Sequence, residues 1–444
     1  MKIPRPELFR SSKRFPPTAL AVGILFALFL IADSPDTGPA KADRVGGSQM
    51  GSTQADGAAV TDEAPAVTGS GYPRGYHVES REPVIPGVTL TRLRLAGPNH
   101  VEVLRIDPSS GVSMDVDSAH DHLPGFEHTS DIATRNHAVA AVNGDFGLYP
   151  GRPAHAFIED GVLKQTSVLG MKGKNFGIRQ DQTAAYIGKP PVTITIDTPS
   201  GPPKIVVSRW NVGAPRNIQV SGYSAFGGSL ARPPAHACSA RLIPTAPGHW
   251  NADGTGITRP YRVNTRICRQ APILLSGGIV IASGTSGFGA QQMHRLIVGD
   301  EVELTWSLGW KGVTDAVGGS PILVDAGAVV VHECNTWLCV RQPRTVVGIT
   351  ADGTILLVSI NGRAPHYSVG MSLVQTAAFM KTLGARWALN LDGGGSATMW
   401  VRGKGIVNRP SDGSERGVAC ALFVRAGADP GEPDLGPLPA AAAR

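Results

Sequence analysis

The body of the chain consists of short apolar runs that alternate with glycine-containing turns. Such runs flank turns at 107–111, 159–161 and 351–353, a pattern typical of β-hairpins. The segment 355–358 is apolar at every position, which predicts a strand at the centre of a sheet.

Two segments have the pattern of a helix. Ser130 is expected to begin a short helix that ends at Arg135. Ser372 is expected to cap a longer helix, which Gly384 would end. The apolar face of this second helix would be formed by Leu373, Ala377, Met380 and Leu383. The predicted fold class is α+β, with a mixed or mostly antiparallel central sheet and a few packed helices in one large domain.

The first residues have the features of an export signal. Several Lys and Arg residues precede an apolar run at 19–32, whose length suits a signal peptide and is short for a membrane span. A small-x-small cleavage signal stands at 40–42. A retained signal anchor is the alternative. Both predict a secreted or cell-surface protein, with membrane contact only through this segment.

Composition divides the chain into regions. Residues 1–42 are predicted to be the signal peptide or anchor, and 43–75 have the small and polar residues of a disordered linker. Residues 76–426 would form the main domain, followed by a disordered tail at 427–444. The stretch 199–270 is rich in Pro, Gly and aromatic residues without a clear period. It is predicted to be an inserted loop region or a small subdomain.

Charge and cysteine content refine this picture. The net charge of +6 comes partly from the N-terminal segment, and charged residues are only 17% of the chain, so no nucleic-acid partner is expected. Five cysteines in an exported protein suggest disulfides. Cys334 could pair with Cys339, and Cys238 with Cys268. Cys420 would then be an unpaired, buried apolar residue.

The stretch 388–399, Ala-Leu-Asn-Leu-Asp-Gly-Gly-Gly-Ser-Ala-Thr-Met, places three glycines between two strand-like segments. Each glycine costs roughly 0.5–1 kcal/mol relative to alanine, so the run needs a physical reason. A tight hairpin is one reason. A backbone that approaches a ligand, with N–H groups that bind an anion, is the other. Asp392 and Ser396 at its two ends favour a site.

Other polar turns are weaker candidates, because each is also typical of an ordinary turn or a solvated cap. These are the turn with Asn143 and Asp145, Gly319 before a strand, Arg344 and Arg363 at strand ends, and 408–416 with Asp412 and Arg416. His120, Asp121 and His122, followed by His128, have metal-like spacing. Their loop is polar and has no matching cluster nearby, so no metal or cofactor is expected. The sequence has neither a Gly-x-Ser-x-Gly elbow nor a P-loop, which excludes two common hydrolase classes.

In this order along residues 90–425, the motifs resemble those of the phosphodiester glycosidase family. They are Asn143-Gly-x-Phe, Gly319-x-Pro, Arg344-Thr-x-x-Gly, Gly362-Arg with Gly370-Met-Ser-Leu, Asn390-Leu-Asp-Gly-Gly-Gly-Ser-x-Thr and Pro410-Ser-Asp-Gly-x-x-Arg. The resemblance implies hydrolysis of a sugar that is joined through its anomeric oxygen to a phosphodiester. Gly147, Asn361 and Asp145 depart from residues that are frequent in the family, so the sugar stays open.

The resemblance, together with the chemistry of phosphate release, implies roles for individual residues. Asp392 is expected to act on the sugar or on water, with Asp145 or Asp412 as the second carboxylate. The remaining predicted residues would bind substrate. The phosphate is assigned to Arg344 and Arg416 with the N–H groups of Gly393, Gly394, Gly395 and Ser396, hydroxyl positioning to Asn143 and Thr398, and further contacts to Gly319 and Arg363.

The expected partner is a phosphodiester-linked carbohydrate or a cell-wall glycan. Two alternatives stay open at this stage. One is another cell-wall glycan hydrolase or a phosphodiesterase that uses the same pocket. The other is a glycan-binding module without catalytic activity.

Overall fold

The computed structural model describes residues 76–427, apart from 169–170, 172, 217, 229, 232, 234–236, 269–272, 276, 285–286 and 333–339. The predicted leader, linker and tail, and the proposed Cys334–Cys339 pair, lie outside the described residues. None of the helices in the described part of the chain combines the length and apolar composition needed to cross a membrane.

Strands are the main secondary structure of the described chain. In chain order they are β1 Tyr76–Ile85, β2 Val88–Leu95, β3 Asn99–Ile106, β4 Val112–Ser118, β5 Glu127–His128, β6 Ala140–Asn143, β7 Gly147–Leu148, β8 Arg152–Pro153, β9 Phe157–Glu159, β10 Val162–Gln165, β11 Asn175–Arg179, β12 Ala185–Gly188, β13 Thr193–Asp197, β14 Ile205–Val206, β15 Arg209–Trp210, β16 Val220–Ser224, β17 Leu230–Ala231, β18 Ser239–Pro244, β19 His249–Trp250, β20 Gly256–Ile267, β21 Ile273–Leu274, β22 Ile279–Ser283, β23 Glu301–Ser307, β24 Val313–Gly318, β25 Ile322–Asp325, β26 Ala328–Val329, β27 Arg344–Thr350, β28 Ile355–Ile360, β29 Ala385–Asn390, β30 Met399–Val401, β31 Gly405–Ile406, β32 Gly417–Val418 and β33 Cys420–Ala426. The helices are α1 Thr129–Arg135, α2 Gly287–Met293 and α3 Leu373–Thr382.

The strands form several sheets. Sheet 1 has the order β1-β2-β3-β28-β27-β29-β25-β26, and sheet 2 has the order β31-β30-β6-β33-β4. Sheet 3 is β10-β9-β24-β11-β12, and sheet 4 is β14-β13-β23-β20-β18-β22-β16-β15 with β19 on β20. Short two-stranded ribbons are formed by β17 and β21, β5 and β32, and β7 and β8. The neighbours in sheets 1, 2 and 3 are antiparallel, and in sheet 4 β15 and β16 are parallel.

The predicted α+β class with a single central sheet is therefore wrong, because the described chain is mostly β and has multiple sheets. Both predicted helices exist, but they are short. The stretch 199–270, expected as a loop or small subdomain, supplies seven consecutive strands, β14 to β20, of which all but β17 belong to sheet 4. Most of these strands are too short to show a two-residue period in the sequence. The proposed domain boundaries stay a prediction.

Sheet 1 explains the apolar segment at 355–358. Its central strand β28 is completely buried and lies between β3 and β27. Ile355 and Leu357 face a core that is shared with sheets 2 and 3, whereas Leu356 and Val358 face α3. A strand that is covered on both faces needs apolar residues at every position. The prediction of a central strand is confirmed.

The hairpin predictions have different outcomes. β9 pairs with β10, and β27 pairs with β28, as predicted. The hairpin across 107–111 is wrong, because β3 belongs to sheet 1 and β4 to sheet 2. Pro108–Ser110 forms a 3-10 turn, and Gly111 follows it with φ +76°. This turn redirects the chain to a second sheet, so the adjacent strands do not pair.

Candidate functional site

The glycine-rich turn follows β29, a strand inside sheet 1 that is paired on both sides. α3 leads into this strand, and its N-terminus has a capping box in which Ser372 Oγ accepts from Gln375 N and the Gln375 side chain accepts from Ser372 N. After the helix, Gly384 with φ +91° turns the chain back into the sheet. Helix and strand therefore hold Asp392 on a rigid base.

Asp392 is a partly exposed carboxyl group. Desolvation raises its pKa to about 6, against hydrogen bonds from Ser396 and from Gly393 N, the latter at 2.8 Å from Oδ1. The charge of Asp145 raises this pKa further, and the charge of Arg416 lowers it. A carboxyl group with a pKa near neutrality can exchange a proton at physiological pH, as general acid–base catalysis requires.

The three glycines are needed for contacts within the protein. A Cβ at Gly393 would lie 2.7 Å from Pro343 O, and Gly394 has φ +63°. A Cβ at Gly395 would lie 2.1 Å from Asp412 Oδ2 and 2.2 Å from Arg416 Nη2. An alanine at any of the three positions would therefore clash or be strained.

Several N–H groups of this turn already have acceptors. Gly393 N donates to Asp392 Oδ1, Gly394 N to Pro343 O, and Ser396 N to Gly393 O. The predicted phosphate contacts through these N–H groups would therefore require the turn to rearrange. Guanidinium groups also lie beside this turn.

An ion cluster lies against the glycine turn. Asp412 Oδ2 pairs with Arg416 Nη2, and Asp412 Oδ1 lies 3.4 Å from Arg363 Nη1. Arg363 Nε also donates to Gln342 Oε1 at 2.7 Å. The side chains of Arg416 and Arg363 are 50% and 42% exposed, so both can reach a ligand. Asp412 holds the two guanidinium groups next to each other, and its predicted role as a second carboxylate stays a prediction.

Asn143 joins three segments of the site. It is buried at the end of β6, and its Nδ2 donates to Asp392 O at 2.8 Å. Its Oδ1 accepts from Thr345 Oγ1 at 2.6 Å and from Thr398 N at 3.1 Å. These bonds fix the backbone at Asp392. The predicted contact of Asn143 with a substrate hydroxyl stays untested, and Thr398 is buried as well.

Asp145 lies in the same region, because Asp392 N donates to the carbonyl of the adjacent Gly144 at 3.0 Å. The Asp145 carboxylate is buried and accepts from Phe146 N, from His155 N and from His155 Nδ1, at 2.7–2.8 Å. His155 was missed in the sequence. A single histidine before β9 gives no signal of its own, and the fold brings it to Asp145.

Two predicted residues contact neighbouring segments of the fold, and their predicted contacts with a substrate stay untested. Arg344 is buried, and its Nε and Nη2 donate to the carbonyls of Met371 and Val340 at 3.1 and 2.9 Å. Burial and the charge of Arg363 lower its pKa to about 10. A Cβ at Gly319 would lie 2.4 Å from Asn390 O, so glycine permits the close approach of this segment to β29.

Two aromatic side chains lie near the Asp145 turn. Tyr149, which directly follows β7, is 92% exposed, and Phe126 is 42% exposed. A Cβ at Gly147 would lie 2.9 Å from the Phe126 ring, so that ring occupies the space of a side chain at 147. Gly417, next to Arg416, also packs against Phe126.

The residues of the histidine motif have partners within the protein. His120 Nε2 contacts Phe126 O, His122 Nδ1 contacts His120 O, and Asp121 pairs with Arg135. Within the described ranges, three carboxylates that could hold a metal ion lie close together, but they belong to other segments: β4, β24 and the β9–β10 turn.

A separate apolar cleft lies in sheet 4. Its lining includes Trp210, Tyr261, Trp306 and Arg259. It contains no carboxylate and none of the residues around Asp392. Such a cleft can bind an apolar group.

The described chain is thus a mostly β protein with a site of carboxylates and guanidinium groups around a glycine turn. Residues 254–425 match the profile of the phosphodiester glycosidase family, which confirms the resemblance predicted from the motifs. The match includes Arg344, Asp392 and Arg416, whereas Asn143 and Asp145 precede it.

The chain is also similar to individual proteins. It is 35% identical over 94 residues to the SPbeta prophage-derived uncharacterized protein YomE of Bacillus subtilis strain 168, over 21% of this chain and 14% of YomE. A hypothetical protein from Synechocystis has a TM-score of 0.61 at 21% identity, over 76% of this chain and 62% of that one. The chain therefore spans less than two thirds of either protein.

Two further solved structures are similar. A putative exported protein from Burkholderia pseudomallei has a TM-score of 0.54 at 26% identity, over 74% of this chain and 75% of that one. The catalytic domain of zebrafish N-acetylglucosamine-1-phosphodiester α-N-acetylglucosaminidase has a TM-score of 0.40 at 16% identity, over 79% and 88%.

Proposed function

We propose that this chain is an exported hydrolase that releases a sugar from a glycosyl-1-phosphodiester by cleavage at the anomeric carbon. The main support is the position of Asp392. Its partly exposed carboxyl group has a pKa of about 6, and the charge of Arg416 acts on it. The glycine turn that follows it lies against the two guanidinium groups that Asp412 holds. Export is supported by the predicted leader and by the Cys238–Cys268 disulfide.

The chemistry follows from the leaving group. Cleavage at the anomeric carbon expels a phosphate monoester, which needs its negative charge stabilised more than it needs a proton. Arg416 and Arg363 would stabilise this negative charge, since one guanidinium group can donate two hydrogen bonds to phosphate oxygens. Asp392 in its ionised form would attack the sugar or activate water.

Other residues would position the reacting groups. Asn143 holds the backbone of Asp392, and the Asp145–His155 pair sets the charge beside it. Tyr149, exposed at the end of β7, offers a ring face on which a sugar could stack. In this proposal, the second carboxylate Asp145 tunes Asp392 and does not itself contact the substrate.

The direct test is to offer the purified exported chain a GlcNAc-α-1-phosphodiester and to identify the products. Release of free sugar and a phosphate monoester supports the proposal. Release of sugar 1-phosphate would show cleavage of the distal phosphorus–oxygen bond and identify a phosphodiesterase instead. If the chain binds the compound with no turnover, and Asp392→Asn binds equally well, it is a glycan-binding module.

A further inference from the structure

Three turns line an open basin that shares no residue with the group around Asp392. We call it the three-turn basin. Its lining consists of Arg179, Gln180 and Asp181 at and after the end of β11, Trp250 and Gly254 at and after the end of β19, and Lys311 and Gly312 between β23 and β24. The volume of the basin is about 450 Å³. This size lies in the range of roughly 300–1,000 Å³ that is typical of small-molecule sites.

Backbone hydrogen bonds hold the three turns together. Gln180 N donates to Gly312 O at 2.9 Å, and Gly312 N donates to Gly254 O at 2.8 Å. Gly254 and Gly312 have φ of +69° and +71°, a conformation that favours glycine. Since β11 belongs to sheet 3 and β19 pairs with β20 of sheet 4, the basin lies where these two sheets meet. The fold therefore forms the basin before any ligand binds, which lowers the cost of binding.

Trp250 gives the basin an aromatic wall. The residue ends β19, and its side chain packs against the hydrophobic core to which β20 and β23 contribute. Trp250 is only partly buried, and it also lines the basin. An indole ring that a core holds in place, and that reaches an open cavity, can stack on the apolar face of a sugar ring.

The charged side chains of the basin leave one positive charge unpaired. Arg179 Nη2 lies 2.6 Å from Asp181 Oδ2, so these two charges offset each other. Lys311 is exposed, and within the described part of the chain its ammonium group has neither a hydrogen bond nor an ion pair. The stem of Lys311 lies along Gly254, where a Cβ would meet its Cγ and Cε at 3.6 Å. The basin therefore favours a ligand with one negative charge.

The carboxylate in the basin indicates a ligand that also carries hydroxyl groups. Asp181 Oδ1 accepts from Thr183 N and Oγ1 at 3.1 and 2.8 Å, and these bonds fix the orientation of the carboxylate. A simple anion such as phosphate would be repelled by Asp181. A sugar can donate hydroxyl hydrogens to Asp181, while an acidic substituent on the same ring meets Lys311.

We propose that the three-turn basin binds a sugar unit with one negative charge, of the uronic acid class, within an acidic polysaccharide. The sugar ring stacks on Trp250, its carboxylate pairs with Lys311, and its hydroxyl groups donate to Asp181. This binding site is separate from the proposed hydrolysis and does not depend on it. Its effect is to keep the exported chain on an acidic polymer, which raises the local concentration of the protein there.

The test uses the purified exported chain and calorimetric titration. The probes are trisaccharides of galacturonic, glucuronic and mannuronic acid, and the comparison ligands are the methyl esters of the same trisaccharides, which lack the negative charge. We expect at least one acid to bind with a Kd about five- to tenfold lower than that of its ester. Absence of binding by all three acids, or equal Kd values for acid and ester, would overturn the proposal.

Matched variants locate the ligand. Lys311→Gln should raise the Kd of the acid about five- to tenfold and leave that of the ester unchanged. Lys381→Gln, at an exposed position of α3, should bind as the parent does. Trp250→Ala should weaken the binding of both forms roughly tenfold. If Trp250→Ala does not fold, Lys311→Gln decides, because its side chain is exposed. An unchanged Kd of the acid in Lys311→Gln would exclude this basin.

Two further titrations separate the basin from other modes of binding. Arg416→Gln should bind the acid as the parent does, because Arg416 does not line the basin. Loss of binding in this variant would place the acid at the proposed hydrolysis site and overturn the proposal. Inorganic phosphate should compete poorly with the acid. Phosphate binding with a similar Kd would identify a simple anion site and contradict the assignment of a sugar.

Discussion

Asp392 is the residue whose chemistry the proposed hydrolysis depends on most directly. Replacement by Asn keeps the size and the acceptor for Gly393 N but removes the ionisable group. We expect Asp392→Asn to lose about two to four orders of magnitude in kcat. The rate of sugar release measures this, with a circular dichroism spectrum to check folding. Near-parental turnover in a folded Asp392→Asn chain would remove it from the catalytic role.

The pKa of Asp392 predicts a pH profile. If the ionised form reacts, kcat/KM should rise with pH and level off above about 6. The charge of Arg416 lowers this pKa, so Arg416→Gln should move the midpoint to higher pH. Arg402→Gln, which removes a cation with backbone partners elsewhere, serves as the control. An unshifted midpoint in Arg416→Gln would contradict the assigned proximity.

Glu102 is a second residue with a testable titration. It is buried, and Asn361 Nδ2 donates to both of its oxygens at 3.1 and 2.9 Å. Burial raises its pKa from 4.5 to about 8. An aspartate at 361 would face this carboxyl group, which explains why an amide suits this position.

The protonated form of Glu102 therefore stabilises the fold. Since the folded-state pKa is the higher one, this contribution is complete below pH 4.5 and is lost as the pH rises through about 8. Glu102→Gln keeps the amide contact and should unfold with a shallower pH dependence across this range. Urea unfolding at several pH values measures the difference. Parallel curves for parent and variant would show that Glu102 does not titrate there.

At the level of elements, the turn at 393–396 and the loop at 410–416 act as one unit. A Cβ at 395 would displace the side chains of Asp412 and Arg416, which are flexible and partly exposed. We expect Gly395→Ala to fold with little change in the free energy of unfolding, and to raise KM. Gly173→Ala is the control, because among the described residues a Cβ there would meet Ser167 Oγ at the ordinary distance of 3.4 Å. Equal KM values in both variants would argue against a role of this ion pair in binding.

A disulfide that the sequence predicted correctly links two strands of sheet 4. Cys238 and Cys268 form a disulfide over a separation of 30 residues, and they flank the paired strands β18 and β20. Cys420 is free and buried, as expected. Replacing both Cys238 and Cys268 by Ser should lower the free energy of unfolding by roughly 2–4 kcal/mol, because the unfolded chain regains loop entropy. Guanidinium unfolding measures the loss, and an unchanged midpoint would contradict it.

For the whole molecule, the arrangement of sheets was the part least visible in the sequence. The continuous apolar run of β28 and the capping residues of α3 predicted those elements correctly, since both signals are local. The turn at 107–111 gives the local signal of a hairpin, yet its strands enter different sheets. Which strand pairs with which depends on contacts between distant segments, and a local pattern does not encode them.

The site shows the same division. Three consecutive glycines at 393–395 are unusual because each has a conformational cost, and together with Asp392 and Ser396 they marked this turn as a candidate site. The order of the motifs indicated the family. The structure showed that Asn143 donates a hydrogen bond to the Asp392 carbonyl and that His155 pairs with Asp145. It also showed that Asp412 forms ion pairs with two arginines. It also gave Arg344 backbone partners that its position at the start of a strand did not suggest.

By itself, the sequence determined the buried central strand β28, the cap of α3 and the unusual glycine turn, because these depend on neighbours along the chain. Only the tertiary structure decided the sheet order, the burial that raises the pKa of Asp392, and the meeting of the turns that form the three-turn basin. Burial and charge proximity are properties of segments far apart in sequence, so they exist only once the sheets have packed.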